Sequence, residues 1–129
     1  MLVSITKINP PREDDRGNAY FFDVRESTYI VVINRKQGTV SGVHYHKGNT
    51  KSKSPEIFYL AAGKIKLLAR DIKTKQQEEY ELEANHKIEV PANIYHEVHA
   101  LTDIILIEFN VEKEDFAADT VSSWTGVKA

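Results

Sequence analysis

Cysteine is absent from the 129 residues, which excludes a disulfide framework and any thiolate metal site. A basic excess is missing too. Lys plus Arg number 17 against 19 Asp plus Glu, giving a net charge of −2. Proteins that bind polyanions usually carry surplus positive charge, so nucleic acid is not an expected partner. No uninterrupted apolar run approaches the ~20 residues that span a bilayer, so no membrane is expected either. The opening "MLVSITKINPPREDD" lacks the cationic start and apolar stretch of a signal peptide. Repeats are absent, and the one biased segment is the polar stretch 47–54, whose lysines and serines predict a solvated, mobile loop. These absences leave one soluble, cytoplasmic domain over residues 1–129, with 112–129 as a C-terminal tail or arm. A chain of this size buries roughly two-thirds of its unfolded surface and needs no staple.

What is present is a succession of short apolar runs, most of them at period two. "NAYFFDV", "YIVVINRK", "TVSGVHYH", "EIFYLAAG", "KIKLLARD", "EEYELEA", "HKIEVPA", "EVHALTD" and "IILIEFNV" each have about strand length. β-branched and aromatic residues dominate them, and turn chemistry separates them at Gly38, Gly48, Gly63, Asn85 and Pro91. Only "EKEDFAADTVSSW" offers as much as one helical turn. The fold class this predicts is all-β, an antiparallel barrel or sandwich.

Alternation then orients side chains. His44 and His46 share one strand face; Glu56 shares a face with Phe58 and Leu60; His96 goes with Val98. If those apolar residues line the interior, the polar groups beside them point inward, which is costly unless they are paired or liganded. Two histidines at i and i+2 aim both imidazoles at one point. A carboxylate from the next strand and a third imidazole complete a nitrogen and oxygen shell that suits zinc, iron, manganese, nickel or copper without choosing among them. A lone His-x-His, however, more often marks exposed or hydrogen-bonded histidines. His99, on the face opposite His96, and His86, ahead of its strand, read as surface residues. Tyr45, Tyr59 and Tyr95 read first as packed rings.

The spacing adds a resemblance. Gly38, five residues, His44-x-His46, then Glu56, six residues and Gly63 resembles the first motif of the cupin superfamily. The family usually has a shorter gap before the glutamate, so residues 47–55 include an insertion. The second motif is matched by Asn85, five residues, Pro91-Ala92-Asn93, two residues and His96. Two expected glycines are asparagine, which tolerates a left-handed backbone better than other non-glycine residues. The asparagine that often closes the motif is Ala100. The resemblance implies a single-domain double-stranded β-helix, or jelly-roll barrel. It implies His44, His46, Glu56 and His96 as ligands of a divalent transition metal, zinc first, then iron, manganese or nickel.

Residues 13–24, "EDDRGNAYFFDV", resemble the entry strand of epimerases acting on nucleotide-linked 4-keto-6-deoxy sugars. With "QGTVSGVHYH" and "VPANIYHEVHALTDIILIEFN" they resemble more closely the metal-binding cupin of capsular-polysaccharide-synthesis reductases and small sugar isomerases. This implies proton abstraction beside a ketone, with a sugar-like small molecule as substrate and Tyr95 and Tyr59 as the catalytic candidates. An arginine common in those epimerases is replaced by Ser41-Gly42; Arg16 and Arg25 are the candidate substitutes, Arg16 also serving its turn. In metal-free epimerases the first histidine is the base, a role that a metal-bound His44 cannot take. The alternatives are a non-catalytic small-ligand module and an iron-dependent cupin dioxygenase. Val43, Tyr45, Ile57 and Tyr59 form an outward apolar face that predicts a homodimer, with Phe116 and Trp124 of the tail packing across it.

Overall fold

The structure, a computed structural model, describes residues 1–10, 12–116 and 118–122. Strands account for nearly all of its regular structure, as the short alternating runs require: β1 (Ser4–Lys7), β2 (Arg12–Asp14), β3 (Gly17–Ala19), β4 (Tyr29–Arg35), β5 (Val40–His46), β6 (Glu56–Ala62), β7 (Lys64–Asp71), β8 (Gln77–Glu83), β9 (His86–Val90), β10 (Ile94–Ala100), β11 (Ile104–Asn110) and β12 (Thr120–Val121). One five-stranded sheet runs β1-β9-β6-β11-β4 and the other β12-β5-β10-β7-β8, with β2 and β3 as a separate hairpin. Every pairing is antiparallel. No described helix is long and apolar enough to cross a membrane.

The core lies between the sheets. Leu60, Ile88, Ile104 and Leu106 of the first sheet meet Ile65, Leu67, Ala69 and Val98 of the second. Each fully buried aliphatic side chain of this kind contributes about 1.5–3 kcal/mol. Two polar residues break the pattern on the inner face of β11. Its alternation Ile104, Leu106, Glu108, Asn110 carries a carboxylate and an amide inward with the aliphatics. The turn positions behave as the motif requires: φ is positive at Gly38 and Gly63, and also at Asn85 (74°) and Asn93 (64°).

Three features differ from the sequence reading. The run "NAYFFDV" forms a ladder only over Gly17–Ala19. Beyond it, Phe22 stacks on Tyr59 at 4.4 Å and meets Phe109 edge-on at 6.0 Å. Its aromatic content covers the outer face of the first sheet rather than extending a strand. Phe22 thus covers Tyr59, and on the other sheet Tyr45 is the ladder partner of Val121 in β12. Ile57, Tyr59 and Tyr45 are all buried within the chain, and of the four residues expected to await a second copy only Val43 stays exposed. The stretch 47–54, expected to be solvated, instead folds into a 3₁₀ turn over Lys51–Lys53 with Ser52 and Lys53 fully buried. The tail does hold a single 3₁₀ turn, Lys113–Asp115, and then returns as β12 to pair with β5. Trp124 lies outside the described residues.

Candidate metal centre

β5 and β6 follow one another in the chain, yet they lie in opposite sheets rather than side by side. The segment 47–55 crosses from one to the other. His44, His46 and His96 therefore reach inward from one sheet, where His96 is the ladder partner of His44, and Glu56 reaches inward from the other. A bulge in β5 opposite His96 and Glu97, with Val43 at φ 58°, re-aims His44 toward the interior. One ligand atom from each of the four residues lies within 4.8 Å of all the others.

The hydrogen bonds say which atoms face the centre. His96 Nδ1 lies 3.1 Å from the Ile94 carbonyl, and His46 Nδ1 lies 3.1 Å from the Ala118 carbonyl and from Thr120 Oγ1. Those carbonyls accept only from a protonated Nδ1, so each Nε2 is left as a lone-pair donor. His46 Nε2 and His96 Nε2 stand 3.2 Å from the two Glu56 oxygens. Both nitrogens and Glu56 Oε1 are buried without a hydrogen bond. Unpartnered donors converging in a closed site are what a divalent transition ion needs, so the residues fit such an ion. Burial, helped by the neighbouring His96 and His46, pushes His44 down to about 4, which keeps it neutral and able to ligate at neutral pH.

Two buried charges that the sequence reading missed complete the site. Lys53 is 1% exposed, and its Nζ donates to Glu56 Oε2 at 2.9 Å and to Glu108 Oε2 at 3.0 Å. Burial disfavours its charge, but the two carboxylates outweigh that and raise it above its ordinary value. Burial works against the Glu56 carboxylate as well, yet His46, His96 and Lys53 hold it well below the usual range. Burial, and then the charge of Glu56, raise Glu108. Glu108 was legible in "IILIEFN" by the same alternation that found Glu56. Lys53 carried no such signal, because nothing separates it from its lysine neighbours Lys47 and Lys51.

The centre opens into a cavity of about 200 Å³, whose walls include Phe58, Val98, Leu106 and Phe116, with the exposed Arg35 on its lining. Both tyrosines proposed as catalytic face elsewhere. Tyr95 is on the face of β10 opposite His96, and its hydroxyl donates to Glu97 Oε2 at 2.6 Å; Glu97 Oε1 also lies 2.7 Å from His99. Tyr59 donates to Asn85 Oδ1 at 2.5 Å beneath Phe22. Strand alternation sets both directions, so neither ring reaches the cavity. Tyr95→Phe is expected to leave zinc affinity within about two-fold of the parent and to cost only about 0.5–1.5 kcal/mol of stability, read by titration calorimetry and thermal unfolding. Arg25 is not a substrate clamp either: it donates to the carbonyls of Pro55, Ser52 (3.0 Å) and Phe109 (2.8 Å). Arg16 pairs with Asp14 on the exposed hairpin at 2.7 Å. His86 sits outside the site, with Nδ1 2.7 Å from the Glu83 carbonyl.

Two facing antiparallel sheets with inward histidines at this end define a cupin-like jelly roll. Among solved structures the chain is similar to a dTDP-4-dehydrorhamnose 3,5-epimerase from Sulfolobus tokodaii, at 21% identity and TM-score 0.69, covering 88% of this chain and 74% of that one. It is also similar to a sugar 3,4-ketoisomerase from Thermoanaerobacterium thermosaccharolyticum in complex with TDP, at 14% identity and TM-score 0.75, covering 96% and 92%. A 3,4-ketoisomerase from Helicobacter canadensis matches at 15% identity and TM-score 0.75, again over 96% and 92%. These likenesses establish the fold. No family model matches the chain, and no curated protein matches it.

Proposed function

We propose that His44, His46, Glu56 and His96 hold a divalent transition ion, zinc first, then iron, manganese or nickel. We further propose that the centre serves an isomerisation or epimerisation beside the keto group of a nucleotide-linked sugar. The observation that carries the reading is the convergence of four donors, three of them with buried unpartnered atoms, inside a barrel similar to sugar-nucleotide epimerases and ketoisomerases. The ion, when bound, supplies Lewis acidity that stabilises an enolate.

The chain's own residues do the rest. Glu108 lines the cavity without being one of the four donors, and it takes the proton next to the ketone. Phe58, Val98, Leu106 and Phe116 keep water from the enolate. A volume of about 200 Å³ falls below the ~300–1,000 Å³ of pockets that enclose a whole drug-sized ligand, so the sugar ring enters and the nucleotide stays outside. Arg35, which donates to the Asn34 carbonyl beside it and, among the described residues, to no other group, meets the diphosphate there in place of the arginine missing at 41–42. Homodimer formation and a cytoplasmic location belong to the same proposal. Ile30 and Val32 on β4, 47% and 60% exposed, are the apolar pair that a second copy would cover.

Proton nuclear magnetic resonance of thymidine-diphosphate-linked 4-keto-6-deoxyglucose, incubated with the metal-loaded protein in deuterated water, tests this reading. Loss of the ring signal adjacent to the ketone is expected. A protein that carries its ion stoichiometrically and exchanges nothing is not an isomerase of this class. Tight binding of the sugar nucleotide without exchange would instead support a non-catalytic ligand-binding module, a reading favoured by the absence of tyrosine from the cavity lining.

A further inference from the structure

The insertion 47–55 is the part of the chain that departs most from the motif spacing, and it delivers one side chain to the site. That side chain is Lys53, buried at 1% exposure and set between two carboxylates of the first sheet. The segment around it is anchored from several directions. Arg25 holds the carbonyls of Ser52 and Pro55. Ser52 Oγ donates to Asp115 Oδ2 at 2.6 Å and accepts from the Val111 amide at 2.8 Å. Lys47 and Asn49 bond Asp119. The Phe116 ring lies 5.7 Å from the ammonium. A lysine held this firmly has one choice of partners.

Its effect falls on one oxygen of Glu56. Both oxygens stand 3.2 Å from a ligand nitrogen, Oε2 from His46 Nε2 and Oε1 from His96 Nε2. Lys53 separates them: Oε2 accepts from its ammonium, whereas Oε1 is buried with no hydrogen bond. A carboxylate can ligate through one oxygen or two, and the choice sets how many positions around an ion remain for a substrate. We infer that Lys53 is a positioning residue that occupies Oε2 and confines Glu56 to ligation through Oε1. Glu108 Oε2, 3.0 Å from the same ammonium, is the second acceptor that holds Lys53 in place. This inference rests on the metal reading above. It assigns the insertion a purpose: holding a coordination position open that a two-oxygen glutamate would fill.

Cobalt(II) substituted into the full-length protein reports the number of ligands through its visible absorption, whose intensity falls as coordination number rises. Lys53→Met alone strands two buried carboxylates, so the informative variant is Lys53→Met with Glu108→Gln, which removes both charges together. In it the visible bands are expected to fall by about half or more as Glu56 turns both oxygens to the ion. Its zinc affinity is expected to change by about 10-fold, the scale of an outer-partner effect. Glu108→Gln alone leaves Lys53 on Glu56 and is expected to keep the parent spectrum. A double variant with the parent's bands overturns the inference, and so does a single variant that shifts as far as the double. A parent that takes up no cobalt removes the metal reading itself, which separates the two failures. If the double variant does not fold, a crystal structure of the zinc-loaded parent decides: Oε1 on the ion with Oε2 on Lys53 supports the role, and both oxygens on the ion overturns it.

Discussion

His96→Ala is expected to abolish stoichiometric zinc binding, weakening affinity by more than the ~100-fold seen when only outer partners of a metal site are removed. His96 is the most enclosed of the three imidazoles, and its Nδ1 is already committed to the Ile94 carbonyl. The remaining Nε2 therefore has no other task. Titration calorimetry against zinc, with circular dichroism to confirm that the barrel is intact, checks this result. His44→Ala should give a similar loss of binding with a smaller structural cost, because His44 is only half-buried and borders the cavity. If both variants bind zinc as tightly as the parent, the four donors are a polar cluster and not a metal centre. Affinity in the parent should also fall as pH drops, since protons then compete for each Nε2.

Gly63→Ala is expected to be the most damaging Gly→Ala change among the described residues. Gly63 closes the first motif between β6 and β7 with φ at +87°. A Cβ there would overlap the Asp103 carbonyl oxygen and stand 2.6 Å from Thr102 Oγ1 and 2.8 Å from Ile104 Cγ2. The first of these is backbone and cannot turn away. Left-handed strain of ~1–2 kcal/mol adds to that clash, for a total loss of about 3 kcal/mol or more. For a domain of this size that is a fall in Tm of about 10 °C, read by calorimetry. Gly38 supplies the control. It has the same φ of +87°, but a Cβ added there would meet nothing within 4 Å, so Gly38→Ala should lose only the strain term. Equal losses at the two positions would mean that the close approach at Gly63 relaxes at no cost.

Alternation alone carried the sequence a long way in this protein. Period two in "EIFYL" put Glu56 on the same face as Phe58 and Leu60, and the structure buries all three. The same logic turned His44 and His46 together and separated His96 from His99. It also held the information that Tyr95 faces away from His96, since neighbours on a strand point to opposite sides. The tyrosine assignment came from resemblance, and the geometry of the strand overrules it. Positive φ at Asn85 and Asn93 was legible because asparagine is the side chain that best tolerates it.

What the sequence determined by itself was the succession of strands β4 to β11, the inward direction of His44, His46, His96 and Glu56, and the turns between them, because each depends on neighbours within a few residues. Tertiary structure alone decided that β5 and β6 face each other across the barrel, that Phe22 covers Tyr59, and that Lys53 leaves solvent to sit between Glu56 and Glu108. Those outcomes depend on contacts between distant parts of the chain: Lys53 and Glu108 are 55 residues apart. A lysine is driven to water by its charge unless two fixed carboxylates outweigh that cost, and only the packed sheets bring the second of them to it.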